Sequence, residues 1–248
     1  MLHVLIESKP HSNSLFKRVI YPITGTHLSV TRSKITVFLV LLFGLGACQT
    51  LYEEAPAPEG TVKTSFTAPV IGTRLTYRTF TGKTSVKQED WVVVTPGQAF
   101  DRPVYGLKSG SRMIVRHRDN GNWVATYSGD KKIKGARPDD NQMRHPLWVG
   151  KKWISTYVYK DYVADREWSP VQNFWSVEAR ETITVEAGRF EVLRLKSDPG
   201  LHSSIISTIW FSPELGLEIK RQWERLEDHY LGAQKGRIEL IKIVPPTS

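Results

Sequence analysis

Cysteine and long apolar segments are both scarce in this chain. Its one cysteine among 248 residues, Cys48, excludes an intramolecular disulfide. The longest apolar run covers the 13 positions from Ile35 to Ala47, whereas a helix needs roughly 20 apolar residues to cross a bilayer. After Cys48, no stretch keeps apolar residues at helical spacing over three turns, so we expect little helix. The sequence therefore disfavours both a permanent transmembrane helix and a helical bundle.

The apolar run has the flanks of a secretory leader. Arg32 and Lys34 precede it, and the small residues Gly46 and Ala47 stand directly before Cys48. A basic flank, an apolar core and a small-residue cleavage site in this order are typical of a signal peptide, which we place at residues 30–47. In the alternative interpretation, Cys48 is a small buried residue at the end of a signal-anchor.

The sequence Leu45-Gly46-Ala47-Cys48 resembles the lipobox of bacterial lipoproteins. The resemblance implies that the Cys48 thiol accepts a diacylglycerol and that the chain is cut before Cys48. It also implies that the new amino terminus is acylated, for example with palmitate. By the same resemblance, Gln49 in place of Asp implies the periplasmic leaflet of the outer membrane, where the lipid holds the protein on the membrane.

This leader divides the chain into four parts. Residues 1–29 have no leader pattern, and a start at Val30, which the codon GTG would encode, brings the basic flank to the amino terminus. We therefore expect residues 1–29 to be untranslated or without function. Residues 48–71 are rich in Pro and Glu and predict a flexible tether. Residues 72–248 are predicted to form one β-rich domain with its own core.

Apolar and polar residues alternate through this domain, which predicts half-buried β-strands. Asn120-Gly121 between two such runs is a strong hairpin signal, and Ala187-Gly188 and Ser212–Gly216 are two further turns. We expect a single curved antiparallel sheet or an incomplete β-barrel with few helices. The predicted strands are Thr73–Phe80, Trp91–Thr95, Arg112–His117, Asn122–Tyr127, Trp153–Tyr159, Thr182–Val185, Phe190–Leu195, Ile205–Phe211 and Arg237–Val244.

A second resemblance covers residues 146–220. The segments Pro146–Trp153, Val185–Val192 and Trp210–Lys220 resemble, in this order, a group of uncharacterised exported proteobacterial proteins. The resemblance implies an exported domain with a half-barrel fold, similar to that of the periplasmic lipoprotein-carrier proteins. It implies no particular activity.

Aromatic content and charge bear on the partners of the domain. All eight Trp residues follow Cys48, and they either form the core or line an apolar groove on a concave face, of which we favour the core. From Cys48 onward, 29 Lys and Arg against 24 Asp and Glu give a net charge of +5, which is compatible with anionic lipid or acidic glycan. Because the basic residues are interspersed, we interpret them mainly as solvated strand faces, and we expect no nucleic-acid partner.

The sequence contains no complete catalytic, metal or cofactor motif. Gly82-Lys83-Thr84 lacks the preceding glycine of a phosphate-binding loop, and Lys108-Ser109-Gly110 lacks a usable Ser-x-x-Lys box before it. No metal-binding spacing links the four histidines His117, His145, His202 and His229. Asp139, Asp140 and His145 are predicted to lie in a polar surface loop. Paired carboxylates for acid and base catalysis remain open, and the candidates are Glu89, Asp90, Glu186 and Glu191.

The sequence therefore favours a non-enzymatic, membrane-anchored periplasmic lipoprotein. Its aromatic concave face would bind a hydrophobic ligand, such as a lipid acyl chain, or an envelope protein. Two alternatives are a structural envelope scaffold with a filled core and an envelope hydrolase with a polar cleft. No cofactor and no metal are expected in any of these.

Lipidation of Cys48 is tested by comparing the wild type with Cys48→Ser. We expect wild-type intact mass to show acyl groups on a chain that starts at Cys48, and the variant to stay uncleaved and unacylated, because the thiol is the acceptor. Identical, unacylated masses for both chains would contradict the predicted anchor.

Overall fold

The computed structural model describes residues 56–82, 85–97 and 99–247. Cys48, the leader and the first part of the predicted tether lie outside these residues, so lipidation and the domain boundaries stay predictions. Within the described part of 48–71, Thr64 pairs with Leu147, and the Phe66 ring packs against the core. The chain therefore contacts the folded domain before its first strand begins.

Twelve antiparallel strands form one sheet that closes into a barrel. Each strand pairs with the next along the chain, and no helix is present in the described residues, which confirms the predicted mostly β fold with a single antiparallel sheet. The strands are β1 Arg74–Thr81, β2 Ser85–Val94, β3 Val104–Ser109, β4 Arg112–His117, β5 Trp123–Ser128, β6 Lys131–Arg137, β7 Lys152–Asp161, β8 Arg166–Val185, β9 Gly188–Pro199, β10 Ile205–Ser212, β11 Leu217–Arg225 and β12 Gln234–Val244.

Closure of the sheet goes beyond the incomplete barrel that the sequence predicted. All of β1 is paired on both sides, with β2 from Ser85 to Val92 and with β12 from Gly236 to Val244. The first and last strands thus satisfy each other's backbone groups, and the sheet keeps no free edge. In this chain, the half-barrel implied by the second resemblance is a complete barrel.

The predicted turns connect strands as expected. Gly121 lies between β4 and β5 with a φ of 74°, and Gly216 lies between β10 and β11 with a φ of 64°. Glycine adopts this left-handed conformation without the steric cost of a Cβ. The pairing of Val185 with Gly188 closes the β8–β9 hairpin over two residues.

The core consists of three clusters. The first surrounds Trp153 and Trp175, whose stacked rings have centroids 6.1 Å apart, an arrangement that contributes about 1 kcal/mol beyond burial. The second centres on Leu75 and Leu240, and Phe190 from the β8–β9 hairpin packs against it. A smaller third cluster forms around Val115.

The loop between β6 and β7 packs into the barrel, so the prediction of a polar surface loop at Asp139, Asp140 and His145 is wrong. Met143 and Leu147 belong to the first core cluster, and Asp139 is only 6% exposed. The indole of Trp153 donates a hydrogen bond to the backbone oxygen of Asn141 at 3.1 Å. Burial of Met143 and Leu147 holds the loop inside the barrel. The polar groups of the loop form hydrogen bonds there, as the bond to Asn141 shows.

In the described residues we find no helix with the length and apolar character that crossing a bilayer requires.

Close packing of Trp223 on Gly236 gives a test of the fold. The two residues face each other across β11 and β12, and a Cβ at Gly236 would lie 2.6 Å from Cε2 of Trp223 and 2.9 Å from the backbone oxygen of Phe80. We expect Gly236→Ala to lower the free energy of unfolding by about 1–3 kcal/mol in denaturant titrations, because overpacking forces the neighbours apart.

Gly97→Ala is the matched control for this substitution, since a Cβ at Gly97 meets no atom within 4 Å. Equal stability of the two variants would contradict the packing of Trp223 on Gly236.

Candidate functional site

An ion-pair network crosses the lumen of the barrel. Arg116 on β4 donates to Oε1 of Glu218 on β11 at 3.1 Å, and Arg221 donates to both carboxylate oxygens of Glu218 at 2.8 Å. Because β4 and β11 are not neighbouring strands, the contact between Arg116 and Glu218 spans the lumen. We call Arg116, Glu218 and Arg221, together with Gln142, the lumen network.

Gln142 joins the β6–β7 loop to this network. Its Nε2 donates to Oε1 of Glu218 at 3.3 Å, and its Oε1 accepts from Nη2 of Arg221 at 2.9 Å. Arg116 also donates to the backbone oxygen of Gly121 at 2.8 Å, and the Tyr77 hydroxyl donates to the backbone oxygen of Glu218 at 2.9 Å. The charges thus have partners from several elements, as mostly buried charges require.

In and beside the network, two carboxyl groups have pKa values shifted in opposite directions. Burial disfavours ionisation of Glu218, but the charges of Arg221 and Arg116 and the hydrogen bonds from Arg221 and Gln142 outweigh it and lower the pKa of Glu218 to about 2. Burial raises the pKa of Asp140 to about 6, although Arg116 and the backbone amides of Trp123 and Gln142 act in the opposite direction. Burial also raises the pKa of Tyr105 to about 12.

Beside the lumen network lies a cavity of about 240 Å³, which we call the apolar cavity. Aromatic and aliphatic side chains dominate its wall, a lining typical of sites for apolar ligands. A cavity of about 150 Å³ with such a lining already holds a benzene-sized molecule. The apolar lining residues are Phe66, Tyr77, Trp91, Tyr105, Leu107, Ile114, Met143, Phe211, Leu217 and Ile238.

Arg112 and Glu89 give the apolar cavity a charged side. The Arg112 guanidinium donates to Oε2 of Glu89 at 3.1 Å and lies 4.6 Å from the ring centroid of Trp91. Its side chain is 43% exposed, yet its Nε is buried and has no hydrogen-bond partner within the described residues. The cavity therefore combines an apolar interior with a cation that reaches solvent.

A second, larger cavity of about 630 Å³ lies on the far side of Arg221, which lines both. We call it the polar cavity, because basic, imidazole and hydroxyl side chains line it together with aromatic ones, although Val171, Ile205 and Leu231 also contribute to the wall. The basic, imidazole, hydroxyl and aromatic residues are Lys134, Tyr157, Tyr159, Trp168, His202, Ser203, Ser204, Ser207, Arg221, Trp223, Arg225, His229 and Tyr230, with Asp228 as the one acidic lining residue.

The candidate carboxylates are engaged in separate contacts. Glu89 pairs with Arg112, and Asp90 accepts a hydrogen bond from the Thr76 hydroxyl at 2.6 Å. The exposed Glu186 and Glu191 form ion pairs with Arg78 at 2.7 Å and with Arg180 at 3.8 Å, respectively. Of these candidates, Glu89 lines the apolar cavity.

The four histidines lie in separate environments. His117 is 2% exposed, with Nε2 3.6 Å from Asp139, and the His145 ring packs against Phe66 and Phe211. Burial lowers the pKa of both rings. His202 and His229 line the polar cavity. Over residues 56–82, 85–97 and 99–247, no three His, Cys, Asp or Glu side chains are grouped to hold a metal.

The two glycine motifs belong to hairpin connections. Lys108-Ser109-Gly110 ends β3 and turns into β4 with a φ of 56° at Gly110. Gly82 follows β1, while Lys83 and Thr84 lie outside the described residues.

The tryptophans serve both roles that the sequence left open. Trp153 and Trp175 are core residues, whereas Trp91 lines the apolar cavity and Trp168 and Trp223 line the polar cavity.

Sequence reasoning missed the lumen network itself. Arg116 follows Ile114 at strand spacing and lines the cavity together with Ile114 and Arg112, so two basic residues flanking an apolar one on the same strand face were the available signal. On β11 the signal was weaker, because Glu218 and Arg221 lie among other charged residues.

Known proteins give distant likenesses to this chain. No family model matches it, and no curated protein matches it. Similar solved structures include the hypothetical lipoprotein YmcC of Escherichia coli, at 13% identity and a TM-score of 0.40, covering 88% of this chain and 100% of that one. A proposed exported protein of Bacteroides fragilis with a YmcC-like fold has 12% identity and a TM-score of 0.39, covering 73% and 100%. A proposed lipoprotein of Parabacteroides distasonis has 10% identity and a TM-score of 0.36, covering 73% and 99%. At TM-scores below 0.5, these likenesses carry no argument about this chain.

Glu218→Gln tests the lumen network. The pKa of Glu218 falls from an ordinary 4.5 to about 2 in the folded protein, so its ionisation stabilises the fold above pH 4.5, and this contribution is lost as the pH falls toward 2. We expect the variant to lose about 3–5 kcal/mol of unfolding free energy at pH 7, because Arg116 and Arg221 lose their shared counter-charge. Its urea midpoint should also change less than that of the wild type between pH 4.5 and 2.

Glu186→Gln is the control, because it breaks an exposed ion pair with Arg78 and should cost less than about 1 kcal/mol. Equal losses in the two variants would contradict a special role of Glu218.

Proposed function

We propose that this protein is a non-enzymatic lipoprotein of the cell envelope whose barrel binds the apolar part of an amphipathic ligand, such as one acyl chain. The ligand's apolar part occupies the apolar cavity, and its polar end lies toward Arg112. The predicted lipid on Cys48 keeps the barrel at a membrane, where such ligands are concentrated.

The observation that carries this proposal is a cavity inside the barrel whose wall is mainly apolar. Protein interiors contain few voids larger than a water molecule, yet the apolar cavity measures about 240 Å³. Its lining includes Leu107, Ile114 and Ile238, against which an apolar group gains contact area. This open space favours ligand binding over the alternative of a scaffold with a filled core.

The charged side of the cavity favours an anionic or strongly polar end group. Arg112 reaches solvent, and its buried Nε has no partner among the described residues. A carboxylate or phosphate at this end would accept from Nε and stay near the guanidinium. Glu89, which already pairs with Arg112, would have to share it with the ligand.

Filling the apolar cavity tests the proposal. We expect octanoate to shift the indole N–H resonance of Trp91 in the wild-type mature lipoprotein, held in nanodiscs and followed by ¹H–¹⁵N NMR, because Trp91 lines the cavity. Leu107→Trp should abolish this shift, since the larger ring occupies the space of the ligand.

Val86→Trp is the matched control, because Val86 is 60% exposed on β2 and an added ring there leaves the cavity open. Thermal unfolding verifies that both variants are folded. Binding of octanoate to Leu107→Trp with wild-type affinity, or no response of wild-type Trp91, would contradict the proposal. A single dominant partner in cross-linked cells together with no octanoate response would instead support the scaffold.

A further inference from the structure

The polar cavity has the size of a ligand site but a different chemistry from the apolar one. Its volume of about 630 Å³ lies within the range of about 300–1,000 Å³ that small-molecule sites occupy. Residues of β6, β7 and β8 form one side, and residues of β10, β11 and the segment after β11 form the other. The exposed His202 and Asp228 line it where it meets solvent.

Positive charge dominates the wall of this cavity. Lys134, Arg221 and Arg225 line it, against the single carboxylate of Asp228. Glu218 neutralises Arg221 within the lumen network. Lys134 faces Asp161 across β6 and β7, and its charge helps to lower the pKa of that carboxyl. Asp161 does not line the cavity, so the lining itself keeps an excess of positive charge.

Arg225 holds a donor that the protein itself leaves unused. Its guanidinium donates to the side-chain oxygen of Gln234 and lies 5.6 Å from the ring centroid of Trp223. Its Nε is buried and has no hydrogen-bond partner within the described residues. A buried donor without a partner is costly, and a bound anion in the cavity would remove this cost.

Hydroxyl groups and an aromatic wall complete the site. Ser204 and Ser207 line the cavity near Arg225, and they can donate to anion oxygens. Trp168 packs against Tyr230 with ring centroids 4.9 Å apart and against Tyr159 at 5.4 Å. These rings provide an aromatic surface for the part of a ligand that is attached to the anion.

We propose that the polar cavity is a second binding site, which takes a ligand carrying a phosphate or carboxylate group. The anion lies between Arg225 and Lys134, and the adjoining ring or carbon chain of the ligand lies against Trp168 and Tyr230. This site goes beyond the proposed function and does not depend on occupancy of the apolar cavity.

The test uses glycerol 3-phosphate as probe on the mature protein in neutral nanodiscs, with indole N–H resonances assigned by Trp→Phe variants. We expect the resonances of Trp168 and Trp223 to shift while that of Trp91 stays unchanged. Arg225→Gln and Lys134→Gln should each weaken the probe about tenfold, the effect of losing one charge-assisted hydrogen bond. Lys131→Gln, an exposed neighbour on β6, should bind like the wild type.

Two further arms identify the source of the anion. Inorganic phosphate replaces glycerol 3-phosphate in the first, and nanodiscs containing phosphatidylglycerol replace the neutral ones in the second. Shifts of Trp168 and Trp223 with the soluble probes indicate a free phosphate compound, and shifts confined to phosphatidylglycerol indicate a lipid headgroup; either result supports the site.

No shift of Trp168 or Trp223 in any arm up to millimolar probe, or unchanged affinity in both Arg225→Gln and Lys134→Gln, would overturn the proposal. Failure of octanoate to move Trp91 concerns the apolar cavity alone, so the two proposals fail separately. Asp161, the carboxylate opposite Lys134, keeps its hydrogen bonds from Val163, Ala164 and Tyr230 when Lys134 is replaced, so Lys134→Gln is expected to fold even where Arg225→Gln is destabilised.

Discussion

The carboxylate of Glu218, held between Arg116 and Arg221, is the contact on which the interior of the barrel depends. Removing these charges from water is expensive, and their mutual attraction compensates only while the geometry holds. The contact fixes β4 relative to β11 across the lumen and gives Gln142 of the β6–β7 loop both an acceptor and a donor. The loop can therefore pack inside the barrel, and its Met143 completes the first core cluster.

The same network lies between two spaces with different linings. Arg221 lines both cavities, so its side chain separates one space from the other. On one side, residues such as Trp91 and Leu107 leave a mainly apolar space, with Arg112 as its charged edge. On the other side, Arg225 and Lys134 leave a space with excess positive charge. An amphipathic molecule likewise has an apolar part and a polar or charged part.

Much of the fold could be predicted from the sequence, because local residue patterns indicate many of the strands and turns. Arg112–His117 was predicted with the bounds that β4 has, and Asn120-Gly121 marked the turn that follows it. β6 and β11 were not predicted, because Lys134, Glu218 and Arg221 face the lumen at positions where an alternating pattern needs apolar residues. β3 was missed as well. Closure of the barrel had no local signal at all, since it depends on pairing between Arg74–Thr81 and a strand about 160 residues later.

The candidate site was less accessible to sequence reasoning than the fold. Aromatic content left open a core or a lined groove, with the core favoured, and which tryptophans line a cavity depends on strand register, as Trp91 and Trp153 show. No pattern in the sequence indicated that Asp139 and Gln142 are buried. Polar residues between prolines are usually solvated, and here partners distant in sequence, such as Glu218, replace the solvent.

Pairing of β1 on both sides has a mechanical consequence. Antiparallel hydrogen bonds lie perpendicular to their strands, and all of β1 is bonded both to β2 and to β12. A force applied through the segment that enters β1 would act along the strand and load both ladders in shear. The bonds would share that force instead of breaking in turn, as they do when a strand is peeled from an open edge. The strand at which the chain enters the barrel is thus well suited to carry tension.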